Sequence, residues 1–272
     1  MYETYWGLRF RPFHGQTGTK SFVPNPAHDE ALARLQYLIE GNHRLGLLLG
    51  TSGTGKSFVL DIVAEQWRQV GATVAKTNLR ARDPRETLWS IATGWGLDVG
   101  PHAPLFDLWR AVADRLAENR WQQIPIVILL DDADRASTEV IDHLIRLVHC
   151  EATAESRLTV VIAAQSDRIG ELGNQLLGLV ELRIDLPAWD LTDTHSYLTH
   201  LLARAGRPRS AFAEEAVMRI HELSEGVVRR IGLLADLSLL AAAAQQLPLV
   251  DVHTVESVFD ELGVMDALTL SF

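Results

Sequence analysis

The segment from Gly50 to Ser57 reads GTSGTGKS and combines three glycines with a lysine. It follows the apolar run LGLLL and precedes FVLDIVAEQW, so it fits the G-x-x-x-x-G-K-[S/T] pattern between a strand and a helix. Glycines let backbone N–H groups converge on phosphate oxygens, and the start of the next helix adds partial positive charge. We therefore predict that this loop binds a nucleotide polyphosphate through Gly50, Thr51, Ser52, Gly53, Thr54, Gly55, Lys56, Ser57 and Phe58.

Two side chains of the loop predict the identity of the ligand. Lys56 can reach the β- and γ-phosphates, and the Ser57 hydroxyl can ligate Mg²⁺. Such a site needs a carboxylate at the end of a neighbouring strand to complete the metal coordination. Asp131 ends the apolar segment IPIVILL and fits that role. The sequence thus predicts ATP and Mg²⁺ as ligands, with Ser57 and Asp131 holding the metal.

Asp132 follows at the position where a glutamate would ordinarily polarise the attacking water. Its side chain is one methylene shorter, and a misplacement of about 1 Å can cost roughly a hundredfold in rate. We therefore predict Asp132 as a catalytic residue in a slow ATPase. The alternative for this acidic run is a helix-capping turn, which is the simpler explanation for Asp134.

Apolar strands alternate with amphipathic helices from about residue 26 to residue 187. The strand segments are LGLLL, ATVAKT, IPIVILL, LTVVIAA and VELRIDL, and the helices include Lys56 to Val70 and Ser137 to Cys150. Buried strands that alternate with helices indicate a parallel sheet covered on both faces. The predicted fold class is α/β, with a central parallel sheet flanked by helices.

The sequence pattern changes near Pro187, beyond which only helices are predicted. We predict a nucleotide-binding core at residues 1–187, with an N-terminal arm that is extended to about Pro26, and a helical lid domain at residues 188–272.

The composition limits the possible partners and compartment. The net charge is −10, which disfavours a generally basic, DNA-wrapping surface. A local cluster of Lys76, Arg80, Arg82 and Arg85 keeps DNA binding open as an alternative. The single Cys150 provides no disulfide framework, and neither a signal peptide nor a membrane segment is recognisable. The expected location is cytoplasmic.

Three further segments carry a family resemblance: YWGLRFRPF, SFVPNPAHDEALARL and SEGVVRRIGLLADLSLLAA. With the phosphate loop and Asp131, they resemble the AAA+ ATPases of the ExeA/GspA (MshM-like) type over nearly the whole chain. The resemblance implies a P-loop AAA+ core with an all-α lid, assembly into a ring or filament of identical subunits, and partners in type II secretion or type IV pilus assembly. Relatives include ATPases that regulate Tn7- and Mu-like transposition, so an ATP-dependent, DNA-bound transposase regulator is the alternative.

The resemblance also assigns two residues beyond the loop. Gln165, at the end of a core strand, matches the sensor 1 position, although a strand-ending polar residue would look the same. Arg229 matches the sensor 2 arginine that reaches the γ-phosphate from the lid, while Val228 replaces the usual proline. Both are predicted catalytic residues.

The arginine finger of the family has no direct match here. Leu179 occupies its expected position, and Arg168 and Arg183 are the candidate substitutes, each with a purely structural alternative. An arginine finger supplied by a neighbouring subunit increases turnover by about a thousandfold or more. The missing arginine at position 179, together with the short Asp132, therefore favours a nucleotide that promotes subunit assembly over one that is hydrolysed rapidly. In the arm, Phe13, Phe22 and Val23 could flank the adenine or only pin the arm to the core.

Overall fold

The structure is a computed structural model that describes residues 2–13, 23, 25–150, 153 and 155–269. Contacts divide these residues into two units. A sheet unit comprises residues 26–51 and 56–186, and a helical unit comprises the arm to residue 25, residues 52–55 of the phosphate loop and the chain from Pro187 onward.

The described strands of the sheet unit are β1 (Leu45–Gly50), β2 (Thr73–Asn78), β3 (Ile126–Asp131), β4 (Leu158–Gln165) and β5 (Leu182–Asp185). They form a parallel sheet in the order β2-β3-β4-β1-β5. The predicted α/β class with a central parallel sheet is confirmed, and each strand lies where its apolar run was predicted.

Alternate side chains of the central strands enter two separate cores. Ile126, Ile128 and Leu130 of β3 pack in one core, whereas Val127 and Leu129 pack in the other. This alternation follows from the two-residue period of a strand, and it explains why the strands are continuously apolar rather than amphipathic.

Helices cover both faces of this sheet. These helices are α2 (Pro26–Glu40), α3 (Lys56–Gln69), α4 (Pro84–Gly94), α5 (Leu105–Gln122), α6 (Thr138–Cys150) and α7 (Gly173–Leu177). The core that contains Ile126 includes side chains of α4, α5, α6 and α7, and the core that contains Val127 includes side chains of α2 and α3. Two short 3₁₀ helices, Ala133–Arg135 and Ser166–Leu172, follow β3 and β4 at the ends of the strands.

The helical unit forms its own apolar core from the arm and the C-terminal helices. Its helices are α1 (Tyr2–Trp6), α8 (Leu191–Arg204), α9 (Glu214–Ser224), α10 (Val228–Ala244) and α11 (Val252–Thr269). A capping box at Asp190 begins α8, because its carboxylate accepts the Asp193 N–H at 2.7 Å.

The arm differs from the extended segment expected from the sequence. Residues 2–6 are helical, and both Tyr2 and Trp6 are buried, one turn apart on the same helix face. The Tyr2 hydroxyl donates to Asp236, and Trp6 Nε1 donates to the Leu239 carbonyl of α10 at 2.9 Å. The arm's contacts thus place it with the C-terminal helices, whereas the sequence-based division counted it with the core.

Candidate functional site

The phosphate loop connects β1 to α3, and Lys56 is the first residue of that helix. Lys56 is buried, and its Nζ donates to the carbonyls of Gly50 at 2.7 Å and Thr51 at 2.8 Å. A buried ammonium must have acceptors, and here the loop itself supplies them. These bonds hold the charge of Lys56 against the loop backbone.

Two glycines give the loop its curvature. Gly53 has φ +89° and Gly55 has φ +103°, a region in which a side chain would be strained. Within the helical unit, the Gly53 carbonyl accepts the backbone N–H of Arg229 at 3.2 Å. A Cβ at Gly53 would lie 2.9 Å from Val227 Cγ1, so the close approach also requires glycine.

Strand register brings the predicted residues to one edge of the sheet. Asn78 at the end of β2 is paired in register with Asp131 at the end of β3, and Gly50 at the end of β1 is paired with Gln165 at the end of β4. Ligands of open α/β sheets bind outside the carboxyl ends of the strands. The start of the loop, Asp131 and Gln165 therefore share the sheet edge where a nucleotide site is expected.

The two consecutive aspartates at this edge differ in their surroundings. The Asp131 side chain is buried, and its Oδ1 accepts the backbone N–H of Asp132 at 3.0 Å. Asp132 has φ +51°, a left-handed conformation that aspartate tolerates better than most residues. Its Oδ2 accepts a hydrogen bond from Asn78 Nδ2 at 2.8 Å.

Asn78 is a candidate site residue that the sequence-based predictions missed. It fixes the Asp132 carboxylate with its amide nitrogen, while its Oδ1 accepts the backbone N–H of Arg80 at 2.8 Å. The available signal was its position as a polar residue at the carboxyl end of β2, where Asp131 ends β3.

Asp134 lies at the same sheet edge, but a hydrogen bond and an ion pair hold its carboxylate in place. Its side chain is fully buried, its Oδ1 accepts the backbone N–H of Gln165 at 3.0 Å, and its Oδ2 lies 3.2 Å from Arg168 Nε. Asp134 thereby ties the turn after β3 to the end of β4. The helix-capping role suggested from the sequence does not describe these contacts.

Both candidate arginine fingers form ion pairs with aspartates of the sheet unit. Arg168 pairs with the buried Asp134. Arg183 forms a bidentate pair with Asp185 on β5, and this hydrogen bond raises the pKa of its guanidinium. Both arginines therefore have nearby partners, as expected if each has a purely structural role rather than the role of an arginine finger.

Lys76 is also engaged, although it was counted in the basic cluster. Its Nζ lies 2.6 Å from Asp61 Oδ1 and donates to the Ser57 carbonyl at 2.9 Å. These contacts hold Lys76 against the first two turns of α3. Of the other cluster members, Arg80 is exposed, whereas Arg82 and Arg85 are half-buried.

The remaining predicted residues occupy varied environments. Ser57 and Arg229 are exposed, and Phe58 and Gln165 are half-buried. Phe13 is buried in the helical unit, with its ring centroid 6.0 Å from that of Tyr197 and 6.3 Å from that of Phe212. These ring contacts support the interpretation that Phe13 holds the arm in an apolar core. Burial also raises the pKa of Tyr197 to about 12. Phe22 lies outside the described residues.

Residues 39–171 match a protein family described as an AAA domain. This part of the chain is similar to an AAA domain. The matched range contains the phosphate loop, Asn78, both aspartates and Gln165, and it ends before the C-terminal helices.

A sequence relative extends the comparison beyond the AAA domain. General secretion pathway protein A of Aeromonas hydrophila is 28% identical over 249 residues, which cover 90% of this chain and 45% of the relative. The predicted resemblance to AAA+ ATPases of the ExeA/GspA type is thus confirmed. The chain spans a little under half the length of this curated relative.

Solved structures share the fold of this chain. Aeropyrum pernix ORC1 in complex with DNA superimposes with a TM-score of 0.69 at 19% identity, covering 88% of this chain and 66% of that one. The Thermotoga maritima RuvB Holliday junction branch migration motor gives 0.62 at 14% identity, covering 92% and 73%. At such identities the likeness establishes the fold alone.

Among the residues that the structure describes, no helix combines the length and the apolar composition that a membrane span requires.

Proposed function

We propose that this chain binds Mg-ATP at the carboxyl edge of its sheet and hydrolyses it slowly. The observation that carries the proposal is the register that aligns Gly50 with Gln165 and Asn78 with Asp131 at that edge. In this proposal Lys56 binds the β- and γ-phosphates, Ser57 and Asp131 hold Mg²⁺, and Asp132 activates the attacking water.

The residues present suit these ligands. Two glycines with positive φ shape the loop, and α3 begins at Lys56, so backbone N–H groups and a helix N-terminus are available for phosphate. The hydroxyl of Ser57 and the carboxylate of Asp131 are oxygen donors of the kind that Mg²⁺ prefers. Bound Mg²⁺ would neutralise charge between the β- and γ-phosphates.

Gln165 and Arg229 complete the proposed machinery. Gln165 lies beside the start of the loop through the β1–β4 register and is proposed to position the water or contact the γ-phosphate. Arg229 is exposed, and its backbone N–H is bonded to Gly53. We propose that its guanidinium contacts the γ-phosphate and so links nucleotide state to the helical lid at residues 188–272.

The proposed cellular role is supported by the similarity to a relative named for the general secretion pathway. We propose a cytoplasmic ATPase whose nucleotide-dependent assembly, as a ring or filament, serves a secretion or type IV pilus system. Because Arg168 and Arg183 have local structural partners, nucleotide is proposed to act more through assembly than through rapid turnover.

The alternative is an ATP-dependent, DNA-bound regulator of a Tn7- or Mu-like transposase. Its support is a cleft of about 400 Å³ on the segment after β2, lined in part by Arg82, Arg85 and Trp89. Arg82 and Arg85 could neutralise phosphates, although Glu86 lines the same cleft and the chain carries a net charge of −10. The secretion role is therefore the first proposal.

Nucleotide binding is tested with Lys56→Ala. We expect the affinity for ATP, measured by calorimetry in Mg²⁺, to fall at least about a hundredfold, because charge-assisted bonds to phosphate are lost. Arg34→Ala, a surface change on α2, is the matched control and should bind normally. Unaltered ATP binding by Lys56→Ala would overturn the site assignment.

The cellular role is tested by measuring mass in solution with ATP, ADP or no nucleotide, each with and without duplex DNA. Assembly that requires ATP and ignores DNA supports the secretion proposal. Assembly that requires DNA and weakens steeply with salt favours the transposition alternative, since each neutralised phosphate releases counterions. A monomer under all conditions would contradict both.

A further inference from the structure

Helix α5 carries aromatic side chains on its outer face. Phe106 is 74% exposed and Trp121 is 85% exposed, and these are the two most exposed large hydrophobic side chains among the described residues. Single exposed apolar residues are ordinary, but two on one helix face mark an interaction surface when they are aligned.

The helical period aligns these two aromatics with the residues between them. Positions 106, 110, 113, 117 and 121 follow the spacing of one helix stripe. The intervening residues are Arg110, Ala113 and Ala117, all exposed, with Asp114 on the flank. Because the alanine side chains are small, the backbone of another helix could approach closely at the middle of the stripe.

The stripe is complementary to itself in the antiparallel direction. When Phe106 faces Trp121 of an identical helix, the same register places Arg110 opposite Ala117 and Ala113 opposite Asp114. Arg110 then lies one turn from Asp114 of the second helix, which suits an ion pair repeated by the symmetry. A two-fold interface requires this kind of self-complementarity.

The charges on the stripe select this occupant over others. Glu118 is already paired with Arg115, whose Nε lies 3.2 Å from its Oε2. Asp114 is exposed and would repel nucleic acid and an anionic membrane surface, whereas Arg110 of a second copy, paired with Asp114, neutralises both charges. Arg110 is not committed to a close partner in its own helix, because its nearest ion pair, with Asp107, has an N–O distance of 3.9 Å.

We propose that the outer face of α5 binds the same face of a second copy of this chain, antiparallel and about a two-fold axis. This contact is separate from nucleotide-dependent assembly, because it uses no residue of the phosphate loop or the sheet edge. An aromatic side chain buries about 150–250 Å², and a standard interface buries about 800 Å² per partner. The dimer is therefore weak, with a Kd on the order of 100 μM.

Sedimentation equilibrium without nucleotide tests the proposal, over protein concentrations from about 10 to 500 μM that bracket the expected Kd. We expect a monomer–dimer equilibrium, and Trp121→Ser should raise its Kd at least about tenfold. Tyr37→Ser removes an exposed aromatic from α2 and should leave the Kd unchanged. A wild-type protein that stays monomeric, or a Trp121→Ser protein that dimerises normally, would overturn the proposal.

A charge swap tests the register. Arg110→Glu should weaken the dimer by placing acidic groups together, and Arg110→Glu combined with Asp114→Arg should restore it. Failure of the double variant to recover, with unchanged circular dichroism, would exclude the antiparallel register.

Cross-linking gives an independent measurement in a Cys150→Ser background. Cysteine at Ala113, next to the two-fold axis, should form dimers with a short bismaleimide. Cysteine at Glu65, exposed on α3, should not. Equal cross-linking at both positions would also contradict the proposal.

Discussion

The turn after β3 holds Asp132 and Asp134 in two different surroundings. Asp132 accepts one hydrogen bond from the neutral amide of Asn78 and remains partly accessible. Asp134 is fully buried and pairs with Arg168 and the backbone of Gln165. A carboxylate held by a single neutral donor remains available for chemistry, whereas a buried and ion-paired one is committed to holding the fold.

From this contrast we predict different roles for the two aspartates of this short turn. Removing the charge of Asp132 should affect turnover and leave stability intact. Breaking the pair of Asp134 should affect stability first. Variants of these aspartates and of their partners test the difference between them, and they are given below from the largest expected effect to the smallest.

Asp132→Asn should lower ATP turnover about a hundredfold or more, because a positioned general base contributes on that scale. Asparagine tolerates the left-handed backbone and can still accept the bond from Asn78, so the melting temperature and ATP affinity should not change. Steady-state phosphate release measures the effect, with the exposed Asp142→Asn on α6 as the control. Normal turnover would remove Asp132 from the catalytic role.

Arg168→Met should lower the free energy of unfolding by about 2 kcal/mol, because it leaves the buried Asp134 carboxylate without a cation. The half-exposed position of Arg168 moderates the cost. Asp134→Asn, which retains an acceptor for the Gln165 N–H, should cost less, about 1 kcal/mol. Urea denaturation measures both. If Arg168→Met kept full stability and lost only turnover, Arg168 would instead be an arginine finger.

Asp132→Glu tests whether side-chain length limits the rate. The added methylene should raise turnover, by up to about tenfold, since misplacement of about 1 Å is costly. Glutamate tolerates the left-handed conformation less well than aspartate, so a small loss of stability should accompany the gain. A fall in phosphate release would show that the shorter acid is not limiting.

Asn78→Ala should lower turnover by about threefold to tenfold, the value of one hydrogen bond that positions the Asp132 carboxylate. The side chain is exposed, so stability should change little. Arg80→Ala keeps both Asn78 bonds and is the control. The change should appear in kcat with KM constant, and an equal loss in both variants would point to the turn as a whole.

Asp251 provides a reference aspartate with a purely local role. Hydrogen bonds from the Thr254 hydroxyl and backbone N–H lower the pKa of its carboxyl. A lowered folded-state pKa stabilises the protein above the unfolded pKa, and this contribution is lost as the pH falls through the folded value. Asp251→Ala should cost about 1 kcal/mol or less at pH 7 and nothing measurable at strongly acidic pH. A constant difference across a pH series of melts would contradict this origin.

Much of the sheet unit could be predicted from the sequence because its signals are local. Buried parallel strands must be continuously apolar, and a phosphate loop needs glycines at fixed spacing, so the strands and the loop pattern were visible in short windows. Family resemblance added Gln165 and Arg229, whose roles remain predictions.

Contacts between residues far apart in the sequence could not be predicted from such short windows. The arm was expected to be extended, but burial of Tyr2 and Trp6 with α10 outweighs the poor helix signal of residues 2–6. Lys76 was counted in a basic cluster, whereas its bonds to Asp61 and Ser57 place it against α3.

The sequence by itself determined the alternation of strands and helices, the phosphate loop and the acids that follow β3. Only the tertiary structure decided which acid faces which partner, because Asn78 meets Asp132 and Arg168 meets Asp134 through strand register and chain folding. Local pattern encodes the elements, since periodicity and turn chemistry act over a few residues. Pairing between distant side chains depends on how those elements pack, which no short window contains.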